Sequence, residues 1–472
     1  MTPNILFILI DDLGWADLGC FGSSFYETPH LDRLAAQGLR FTDAYASCPV
    51  CSPTRASILT GRYPAQVGIT QFIGGHAVGR LCDVPYFHQM PRSEHTLAQA
   101  LADGGYQTWH VGKWHLGDGP NNPESYGFHV NRGGCGWGMP KQGYFAPWGI
   151  PGLAEGADGD YLTDRLTDEA IDLIRTRDPE RPFFLHLSHY AVHTPIQAPA
   201  ALVGKYERKA RALGLDERET VIAGDHFATH HKRHLRIQRR RLQSHPTYAA
   251  MMESLDTNIG RVLDELDAAG LTDDTLVVFT ADNGGLSTAE GSPTCNAPLS
   301  EGKGWMYEGG NRVCQIARWP ARIAAGSTTA VPVTSTDFYP TFLSAAGLPA
   351  IPHQHCDGVD LVPLLLRGEE PARDGIFWHY PHYSNQGDTP ACAIRAGRWK
   401  LIEHFEDGRL ELYDLQEDIG EEHDRAAAEP ARVRELHARL CAWREEIEAL
   451  IPRPNPNWRP EPLSPDCDPP EV

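Results

Sequence analysis

The segment 51–55 (CSPTR) places a candidate nucleophile, Cys51, beside the predicted start of a helix. Ser52 is a favourable N-cap residue, Pro53 fits the first helical position, and Gly61 is a typical C-terminal stop. Cys51 is therefore expected just outside the helix, where unpaired N–H groups and the helix dipole favour negative charge.

Arg55 lies in the first turn of this predicted helix and can fold back toward Cys51. A nucleophile and a cation beside an anion-binding helix start indicate chemistry on a sulfate, a phosphate or a carboxylate. The alternative is a buried, unreactive cysteine on an ordinary capped helix, which describes most cysteines in protein interiors. Residues elsewhere in the chain are needed to distinguish the two interpretations.

Four predicted strands end in polar residues, and two of these strands are the most apolar runs in the chain. The runs 4–10 (NILFILI) and 275–280 (TLVVFT) have the continuous apolar pattern of strands that are buried on both faces of a sheet. Ligands bind at the carboxyl ends of the strands in open α/β sheets. The polar residues that follow the two runs are Asp11, Asp12, Asp282 and Asn283.

These carboxylates and the amide form an all-oxygen set. Hard cations such as calcium or magnesium prefer oxygen ligands, whereas zinc prefers nitrogen and sulfur. An acidic pair on its own is better explained as a helix N-cap or a solvated loop. The occurrence of such groups after both of the most apolar strands favours a metal site.

The two remaining strand ends carry cationic and imidazole side chains. Lys113 and His115 follow a predicted strand at 107–111, and His193 follows one at 183–187. An exposed loop would also explain Lys113 and His115, and a role in the core would explain His193. Together with the acidic residues, however, these are the groups that a single anion-processing site requires.

Helical and strand patterns alternate up to about residue 365, which indicates an α/β fold with a mainly parallel, mixed sheet between helices. Glycine-, proline- and tryptophan-rich surface loops are predicted at 133–159. The segment 230–241 (HHKRHLRIQRRR) is interpreted as the solvated face of a helix, in preference to an arm that contacts the substrate. The helices predicted in this part of the chain are 29–38, 96–104, 164–175 and 248–266.

A linker is predicted at 369–373, so residues 1–370 are assigned to a large catalytic domain and residues 371–472 to a smaller one. The elements predicted in the smaller domain are strands at 393–395, 399–403 and 411–413, a helix at 431–450 and a proline-rich tail from residue 452. This pattern predicts an antiparallel sheet closed by one helix. The tail is expected to be an extended strap or disordered.

The composition excludes several classes of protein. The 472 residues carry a formal net charge of −20, which argues against a nucleic-acid binder. The 11 cysteines lack paired spacing, so a zinc or redox motif is not expected. No apolar run reaches membrane-spanning length, and the run 4–10 lacks a basic leader. We expect a cytoplasmic protein if this N-terminus is native, and a periplasmic or secreted one if a signal peptide was removed.

The segment 51–62 resembles the signature of the type I sulfatases, C-x-P-x-R followed by L-T-G-R. Further motifs of that family occur in the same order along the chain. They are DDLG at 11–14, GKWHLG at 112–117, HTP at 193–195, DNG at 282–284, GKG at 302–304 and EGG at 308–310 with Arg312. The resemblance extends from residue 3 to about residue 450, and it implies membership of the alkaline phosphatase superfamily.

The resemblance implies that Cys51 is oxidised after translation to formylglycine, whose hydrated form is a geminal diol. A formylglycine-generating enzyme is then a partner during maturation. One calcium ion, or less commonly magnesium, is also implied, and a diol oxygen suits such a hard cation better than a thiol does. The residues that match the family's metal ligands are Asp11, Asp12, the modified Cys51, Asp282 and Asn283.

The resemblance also implies a role for each of the other site residues. Arg55 and the metal prepare the diol, one oxygen of which attacks the sulfur atom of a sulfate ester. Lys113 and Lys303 hold the sulfonyl oxygens, and His193 with Lys303 donates a proton to the leaving alcohol. His115 takes the proton from the second hydroxyl, after which sulfate leaves and the aldehyde is restored.

Two features depart from the family pattern. The segment 133–137 (GGCGW) lacks the serine that helps many sulfatases to bind sulfate, and Cys314 stands where proline is common. One rival is a phosphodiesterase or phosphonate monoester hydrolase of the same superfamily, against which Asn283 argues because a histidine does not follow Asp282. The other rival is a non-catalytic, anion-binding homologue with an unmodified Cys51, against which the intact set of basic residues argues.

The substrate is expected to be a sulfated carbohydrate that enters an exo-acting pocket. Aromatic and polar residues in the loops at 133–159 and in the segment 378–383 (WHYPHY) suit stacking on a sugar ring. Further candidates for substrate contact, for which surface or core roles are equal alternatives, are His76, Arg80, His95, Arg132 and Trp137.

Overall fold

The computed structural model describes residues 2–459 of the chain. Its strands are Asn4–Ile10 (β1), Leu39–Tyr45 (β2), Gln107–Gly112 (β3), Val130–Arg132 (β4), Phe183–His189 (β5), Val221–His226 (β6), Arg236–Arg240 (β7), Thr275–Ala281 (β8), Arg312–Arg318 (β9), Ser327–Thr329 (β10), Val333–Thr334 (β11), Ile376–Tyr380 (β12), Ala391–Ala396 (β13), Trp399–His404 (β14) and Leu410–Asp414 (β15). Its helices are Pro29–Ala36 (α1), Cys51–Thr60 (α2), Pro64–Val67 (α3), Leu97–Asp103 (α4), Leu162–Arg175 (α5), Ala200–Ala212 (α6), Pro246–Ala268 (α7), Glu308–Asn311 (α8), Phe338–Ala345 (α9), Val362–Arg367 (α10) and Pro430–Glu446 (α11). Within this range no helix is both long enough and apolar enough to span a bilayer.

Strand β1 lies at the centre of the large sheet and pairs in parallel with β5 on one side and β8 on the other. The register aligns Ile5 with Phe184 and with Leu276. Apart from Asn4, every residue of these three strands is buried. Their continuous apolar runs favour this position, because burying both faces removes apolar surface from water at about 25 cal/mol per Å².

The strand order in the large sheet is β10-β2-β9-β8-β1-β5-β3-β4, with β11 beside β2. Strand β9 runs antiparallel to β2 and β8, and the other pairs are parallel. Helix α7 packs against α1, α5 and α6, whereas α9 packs against α2, α4 and α10, so helices form two layers over the sheet. The predicted α/β fold with a mainly parallel, mixed sheet is confirmed.

The C-terminal part contains a second sheet, in which β12 to β15 pair antiparallel in chain order. Helix α11 packs on β13 and β14, where Leu436 and Leu440 contact a core that includes Ile394 and Leu401. The predicted antiparallel sheet with one closing helix is confirmed. The boundary between residues 370 and 371 stays a prediction.

Residues 452–459 follow α11 as an extended strap across the large domain. The carbonyl oxygen of Arg453 accepts a hydrogen bond from the N–H of Cys82, and the N–H of Asn455 donates to the carbonyl oxygen of Arg80, both at 2.8 Å. This portion of the predicted tail is therefore a strap. The C-terminal remainder of the tail lies outside the described residues.

The helix predicted for the basic segment 230–241 is wrong, because this segment contains strand β7, which pairs antiparallel with the preceding β6 in a hairpin. Ile237 is buried, whereas its neighbours Arg236 and Gln238 are exposed, which is the alternation of a strand. The buried Ile237 packs in a small cluster with Trp305. The contact with Trp305, which is distant in the sequence, therefore decides the structure of this segment. The local sequence does not, because charged residues around a single isoleucine match neither helical nor strand periodicity clearly.

Candidate active site

Helix α2 begins at Cys51 itself, with Val50 as its N-cap, so the predicted N-cap at Ser52 is wrong. Ser52 Oγ instead accepts a hydrogen bond from the N–H of Ile73 at 3.1 Å. The predicted end at Gly61 is confirmed, and its φ of 67° is a left-handed conformation that glycine adopts without strain. Every residue of α2 is buried, so the start of the helix faces the interior of the protein.

The thiol of Cys51 lies against an imidazole, with Sγ 3.2 Å from Nδ1 of His115. Burial raises the pKa of the Cys51 thiol, and the charges of Lys113 and Lys303 offset only part of that increase. Nε2 of His115 lies 3.3 Å from the carbonyl oxygen of Ile73, to which it donates. Burial also holds the pKa of His115 well below its usual range. The imidazole is therefore neutral, and its unprotonated Nδ1 faces Cys51.

Arg55 is 2% exposed and links the helix to three strand ends. Its Nε donates to Asp282 Oδ2 at 2.8 Å, and its Nη1 donates to Ser188 Oγ at 2.7 Å and to the carbonyl oxygen of Lys113 at 2.9 Å. These three partners follow or end β8, β5 and β3. Arg55 therefore fixes the start of α2 against the carboxyl edge of the sheet.

Asp11, Asp12, Asp282 and Asn283 are buried at the carboxyl ends of β1 and β8. The N–H of Asp12 donates to Asp282 Oδ1 at 3.3 Å, and Asn283 Nδ2 donates to Asp12 Oδ1 at 2.9 Å. Because β1 and β8 pair in parallel, the residues that follow their last aligned pair are adjacent. The structure therefore brings all four oxygen-bearing side chains to one point.

Two buried lysines pair with these carboxylates. Lys113 Nζ lies 2.6 Å from Asp11 Oδ2, and Lys303 Nζ lies 2.8 Å from Asp12 Oδ2. Burial raises the pKa of Asp11 to about 8, because desolvation outweighs the charge of Lys113. Burial also opposes ionisation of Asp12, but Lys303 and the other cations nearby hold its pKa well below its usual range. A further cation at this point would favour the ionised form of Asp11 as well.

His193 is hydrogen-bonded through both ring nitrogens. Its Nε2 lies 3.0 Å from Lys303 Nζ, and its Nδ1 lies 2.8 Å from the carbonyl oxygen of Thr194. Nδ1 therefore carries the hydrogen, and Nε2 accepts from Lys303. Burial and the charge of Lys303 lower the pKa of His193 to about 3. The hydroxyl of Tyr144 holds this turn by donating to the carbonyl oxygen of His193 at 2.8 Å.

Two oxygen atoms in the cluster, Asp11 Oδ1 and Asn283 Oδ1, have no hydrogen-bond donor among the residues that the structure describes. An unpaired, buried polar atom is costly unless a ligand satisfies it. Asp11, Asp12 and His193 each offer one ligand atom within 4.8 Å of the others. Unpaired oxygens in a set rich in carboxylates suit a hard divalent cation such as calcium.

Two glycines let the backbone approach closely enough to form the site. A Cβ on Gly112 would lie 1.9 Å from the carbonyl oxygen of Ser188, and the φ of Gly112 is 97°. Glycine is therefore required where β3 ends and delivers Lys113. A Cβ on Gly138 would lie 2.6 Å from Cε1 of His115, so the loop at Gly138 packs directly on the imidazole.

The stacking surface predicted at 378–383 is wrong. Trp378 is fully buried and its Nε1 donates to the carbonyl oxygen of Ala46 at 2.8 Å, while Tyr380 and Tyr383 are buried too. Trp137 is half-buried beside Gly138, with Lys141 Nζ 4.7 Å from the centroid of its ring. The other candidates for substrate contact have partners of their own: His76 with Asp83, Arg80 with Trp458, His95 with Tyr339, and Arg132 with Glu169.

Sequence reasoning missed three residues that set the geometry of the site: Ile73, Tyr144 and Ser188. Ser188 directly follows the strand predicted at 183–187 and is the penultimate residue of β5, so the rule that located the other polar residues could have found it. Ile73 acts through its carbonyl oxygen, which no side-chain pattern indicates. Tyr144 lies in the segment 133–159, which is irregular as predicted, but Tyr144 and Trp148 are buried and are not part of a surface loop.

Comparison with known proteins finds two family models and several curated relatives that match this chain. The family model described as Sulfatase matches residues 3–348, and a model described as N-sulphoglucosamine sulphohydrolase, C-terminal, matches residues 301–446. N-acetylgalactosamine-6-sulfatase of Mus musculus is 32% identical over 416 residues, which cover 84% of this chain and 71% of that protein. Arylsulfatase A of Homo sapiens is 33% identical over 444 residues, which cover 85% of this chain and 75% of that protein.

A solved structure shows the same similarity in three dimensions. The crystal structure of Ps i-CgsB in complex with k-i-k-neocarrahexaose has a TM-score of 0.75 and 28% sequence identity. The match covers 98% of this chain and 95% of that one. The chain is thus a hydrolase of sulfuric esters, and it belongs to the sulfatase family.

Proposed function

We propose that the protein releases inorganic sulfate from a sulfated carbohydrate, with a formylglycine formed from Cys51 and a calcium ion in its site. One observation carries this proposal: Cys51 and His115 lie in a single buried cluster with Lys113, Lys303 and His193, next to unpaired carboxylate and amide oxygens. The carbohydrate is supported by the relatives, one of which is named for N-acetylgalactosamine 6-sulfate and another of which holds a neocarrahexaose.

Cys51 is better suited as a precursor than as the nucleophile itself. Its buried thiol has a raised pKa, and sulfur is a poor ligand for a hard cation. A hydrated formylglycine at this position supplies one oxygen that attacks sulfur and a second hydroxyl whose deprotonation expels sulfate. Because all of α2 is buried, a formylglycine-generating enzyme must act before this helix packs into the fold.

Asp11, Asp12, Asp282 and Asn283 would hold the calcium ion, together with an oxygen of the modified residue 51. The ion supplies positive charge for the sulfonyl oxygens and lowers the proton affinity of the diol. Arg55 orients Asp282 by donating to Oδ2 from Nε, so it fixes one side of this ligand set.

His115 has the geometry of a general base. Its Nε2 donates to the carbonyl oxygen of Ile73, which leaves the lone pair on Nδ1 directed at residue 51. The pKa of His115 is lowered by burial and by the charges of Lys113 and Arg55, so the imidazole is neutral at pH 7. It can therefore accept the proton of the second hydroxyl when sulfate leaves.

Lys303 and His193 form the corresponding acid pair on the other side of the site. Lys303 holds His193 through Nε2 at 3.0 Å and keeps its own positive charge beside Asp12. A bound sulfate ester brings negative charge to Nε2, which favours its protonation and lets the pair protonate the departing alcohol. Lys113 and Lys303 also present ammonium donors to the sulfonyl oxygens as negative charge develops.

The proposal is tested with protein produced together with a formylglycine-generating enzyme. Sulfate release is measured from 4-nitrophenyl sulfate and from a panel of defined sulfated mono- and oligosaccharides, and the peptide that contains residue 51 is analysed by mass spectrometry. We expect the aldehyde or its hydrate in active protein, and release of sulfate from at least one saccharide.

Each part of the proposal has its own contrary result. Full activity with a wholly unmodified thiol would exclude the formylglycine mechanism. Activity on the aryl sulfate but on none of the saccharides would exclude the carbohydrate substrate. A higher kcat/KM for an aryl phosphodiester than for the aryl sulfate would point to the phosphodiesterase alternative.

A further inference from the structure

The basic hairpin, which comprises residues 221–241, is anchored to the segment that carries Lys303. Ile237 of the hairpin packs with Trp305, two residues after Lys303. Arg239 lies over the Trp305 ring, 5.3 Å from its centroid, and its Nε donates to Glu301 Oε1 at 2.9 Å. The hairpin therefore lies beside the edge of the site that carries Lys303, the proposed partner of His193 in protonating the leaving alcohol.

A second wall at the same edge comes from the turn 289–292 and from the C-terminal domain. A Cβ on Gly304 would lie 2.5 Å from Gln386 Oε1, so Gln386 is packed against the residue after Lys303. Gln386 Nε2 in turn donates to Glu290 Oε1 at 2.6 Å. Gln386 therefore links Glu290 to the backbone beside Lys303.

The turn that carries Glu290 has an unusual backbone. Ala289, Glu290 and Ser292 have φ values of 57°, 46° and 43°, a region that residues other than glycine rarely adopt. The turn is held against the hairpin, because Ser292 Oγ donates to the carbonyl oxygen of Gln238 at 2.9 Å. Strain of this kind persists where the surrounding structure imposes it, and it is concentrated at ligand-binding sites.

The hairpin and the turn line a cavity of about 520 Å³ that is open to solvent. This volume is within the range of about 300–1,000 Å³ for small-molecule sites. Leu235, which is 47% exposed, gives the cavity an apolar wall. The half-buried Lys232 lines it from above the ring of Phe227, and its ammonium donates to the carbonyl oxygen of Asn385 at 3.3 Å. Within residues 2–459 this is its one hydrogen bond, which leaves donors for a ligand.

The charge of the hairpin indicates an anionic ligand. Segment 230–241 contains six lysine and arginine residues and no acidic residue, in a chain whose formal net charge is −20. Arg236 lines the cavity and is exposed, as is Arg241 at the end of the hairpin. A local positive patch on an acidic protein attracts a polyanion and orients it toward the site.

We propose that the basic hairpin and the turn 289–292 form a subsite for the sugar unit next to the hydrolysed ester in a sulfated oligosaccharide. The remainder of the saccharide leaves the catalytic cluster past Lys303 and lies over this cavity. There Lys232 binds an anionic group, Glu290 accepts from a hydroxyl, and Leu235 packs on the C–H face of the ring. This inference rests on the proposed action on carbohydrate sulfates.

The subsite is tested by comparing two saccharides of different length. The panel of N-acetylgalactosamine, N-acetylglucosamine and galactose 6-sulfates identifies the best monosaccharide, and a sulfated tetrasaccharide that carries the same unit at its end is the second substrate. We expect the wild-type kcat/KM to be about tenfold or more higher for the tetrasaccharide, which corresponds to about one charge-assisted hydrogen bond. Lys232→Ala and Glu290→Gln should each remove most of this preference, chiefly through KM.

Two controls separate binding from folding. Glu207→Gln removes one negative charge, as Glu290→Gln does, but on the exposed surface of α6. It should keep the wild-type preference for the tetrasaccharide. Lys232→Arg keeps the positive charge and should retain most of the preference for the tetrasaccharide. The melting temperatures of all variants are also measured. A variant that loses activity because it unfolds should have a lower melting temperature and should lose activity equally on all substrates.

The contrary results are distinct. A wild-type enzyme with equal kcat/KM for the two saccharides, or variants that retain the preference, would overturn the subsite and leave the proposed function intact. Equal losses on the tetrasaccharide, the monosaccharide and 4-nitrophenyl sulfate would assign the hairpin a purely structural role. Activity on the aryl sulfate alone would overturn the carbohydrate substrate, and the subsite with it.

Discussion

Two of the clusters of buried charge in residues 2–459 differ in how close a cation or donor lies to each carboxylate oxygen. In the active-site cluster, Asp11 Oδ1 has no hydrogen-bond donor, and Arg55 Nη2 lies 3.9 Å away from it. In the second cluster, Lys400 Nζ lies 3.0 Å from Glu308 Oε1 and 2.9 Å from Glu421 Oε1. The second cluster joins the large sheet to the C-terminal domain, and its members are Asp43, Tyr45, Glu308, Arg312, Arg395, Lys400 and Glu421.

The remaining oxygens of this domain-joining cluster are also matched. Glu308 Oε2 accepts from the hydroxyl of Tyr45 at 2.7 Å and lies 3.2 Å from Arg312 Nη1. Glu421 Oε2 accepts from the N–H of Glu308 at 2.7 Å. Glu421 Oε1 makes no hydrogen bond of good geometry, but it lies 2.9 Å from Lys400 Nζ, so each carboxylate oxygen of the two glutamates has a cation or donor within 3.2 Å.

The difference separates a structural role from a functional one. Buried charges that satisfy one another hold two parts of a fold in one arrangement, and removing one member leaves the others unpaired. Buried charges with an oxygen that no cation or donor approaches closely are instead poised for a ligand. Substitutions in the active-site cluster should therefore lower activity more than stability. Substitutions in the second cluster should lower stability more than activity.

The largest effect is expected from Cys51→Ala. Loss of the precursor of the nucleophile should lower kcat about 10⁴-fold or more, because the residues around it act as one unit. The free energy of unfolding should change only by about 1 kcal/mol, the cost of deleting one small buried group. Both are measured by sulfate release and by urea denaturation.

Cys48→Ala is the matched control, since Cys48 is buried three residues before Cys51. It should show a similar change in stability with activity retained. Comparable losses of kcat in both variants would mean that packing of this segment, and not chemistry at residue 51, limits the reaction.

Lys400→Met should have the opposite effect. It leaves Glu308 and Glu421 buried without their shared cation, which should lower the free energy of unfolding by about 3–5 kcal/mol. Activity of the folded fraction should be unchanged. Lys303→Met in the calcium-loaded enzyme should instead lower kcat/KM about 10²–10³-fold with a smaller loss of stability. The comparison fails if Lys303→Met is the less stable of the two.

Removal of calcium should affect the active-site cluster alone. Calcium at about 100 times its dissociation constant should add about 2.7 kcal/mol of stability, which EGTA removes together with activity. Asp11→Asn should abolish the calcium-dependent shift in melting temperature, whereas Lys400→Met should retain it. Identical melting temperatures and activity with and without EGTA would show that the unpaired oxygens do not hold a metal.

The smallest expected effect is a pH dependence in the domain-joining cluster. Burial raises the pKa of Glu421 to about 7, because desolvation and the neighbouring Glu308 outweigh the charge of Lys400. Between pH 5 and 7 the folded protein then binds a proton that the unfolded chain, with an ordinary pKa of 4.5, has lost. Stability should therefore fall as the pH rises through this window, by at most about 1.4 kcal/mol per pH unit.

Glu421→Gln removes this titration, so its unfolding free energy should depend less on pH between 5 and 7. The buried Asp17 and Asp256, whose pKa values burial raises to about 6, contribute in both proteins and cancel in the difference. Glu417→Gln changes an exposed carboxylate and is the control. Equal pH profiles for wild type and Glu421→Gln would show that Glu421 is ionised throughout this range.

Much of the fold could be predicted because the relevant signals are local. The apolar runs that became β1 and β8, the glycine after α2, and the alternating strands from residue 391 onward are each indicated by a few adjacent residues. Strand β12, at Ile376–Tyr380, was not predicted. The wrong predictions arose where distant contacts override a local pattern. Ile237 pairs a basic segment into a hairpin through Trp305, and Trp378 is drawn into the core by apolar partners and by the carbonyl oxygen of Ala46.

The features of the candidate site likewise divide into those that the local sequence predicts and those that distant contacts decide. By itself, the sequence determined which chemical groups are present and that they follow strand ends, because the order of apolar runs and polar residues along the chain is enough for that. Tertiary structure alone decided that Asp11 and Asn283 keep unpaired oxygens, and that Nδ1 of His115 faces Cys51. Pairing and tautomer depend on atoms from segments far apart in the chain, which come within hydrogen-bonding distance only when the sheet is assembled.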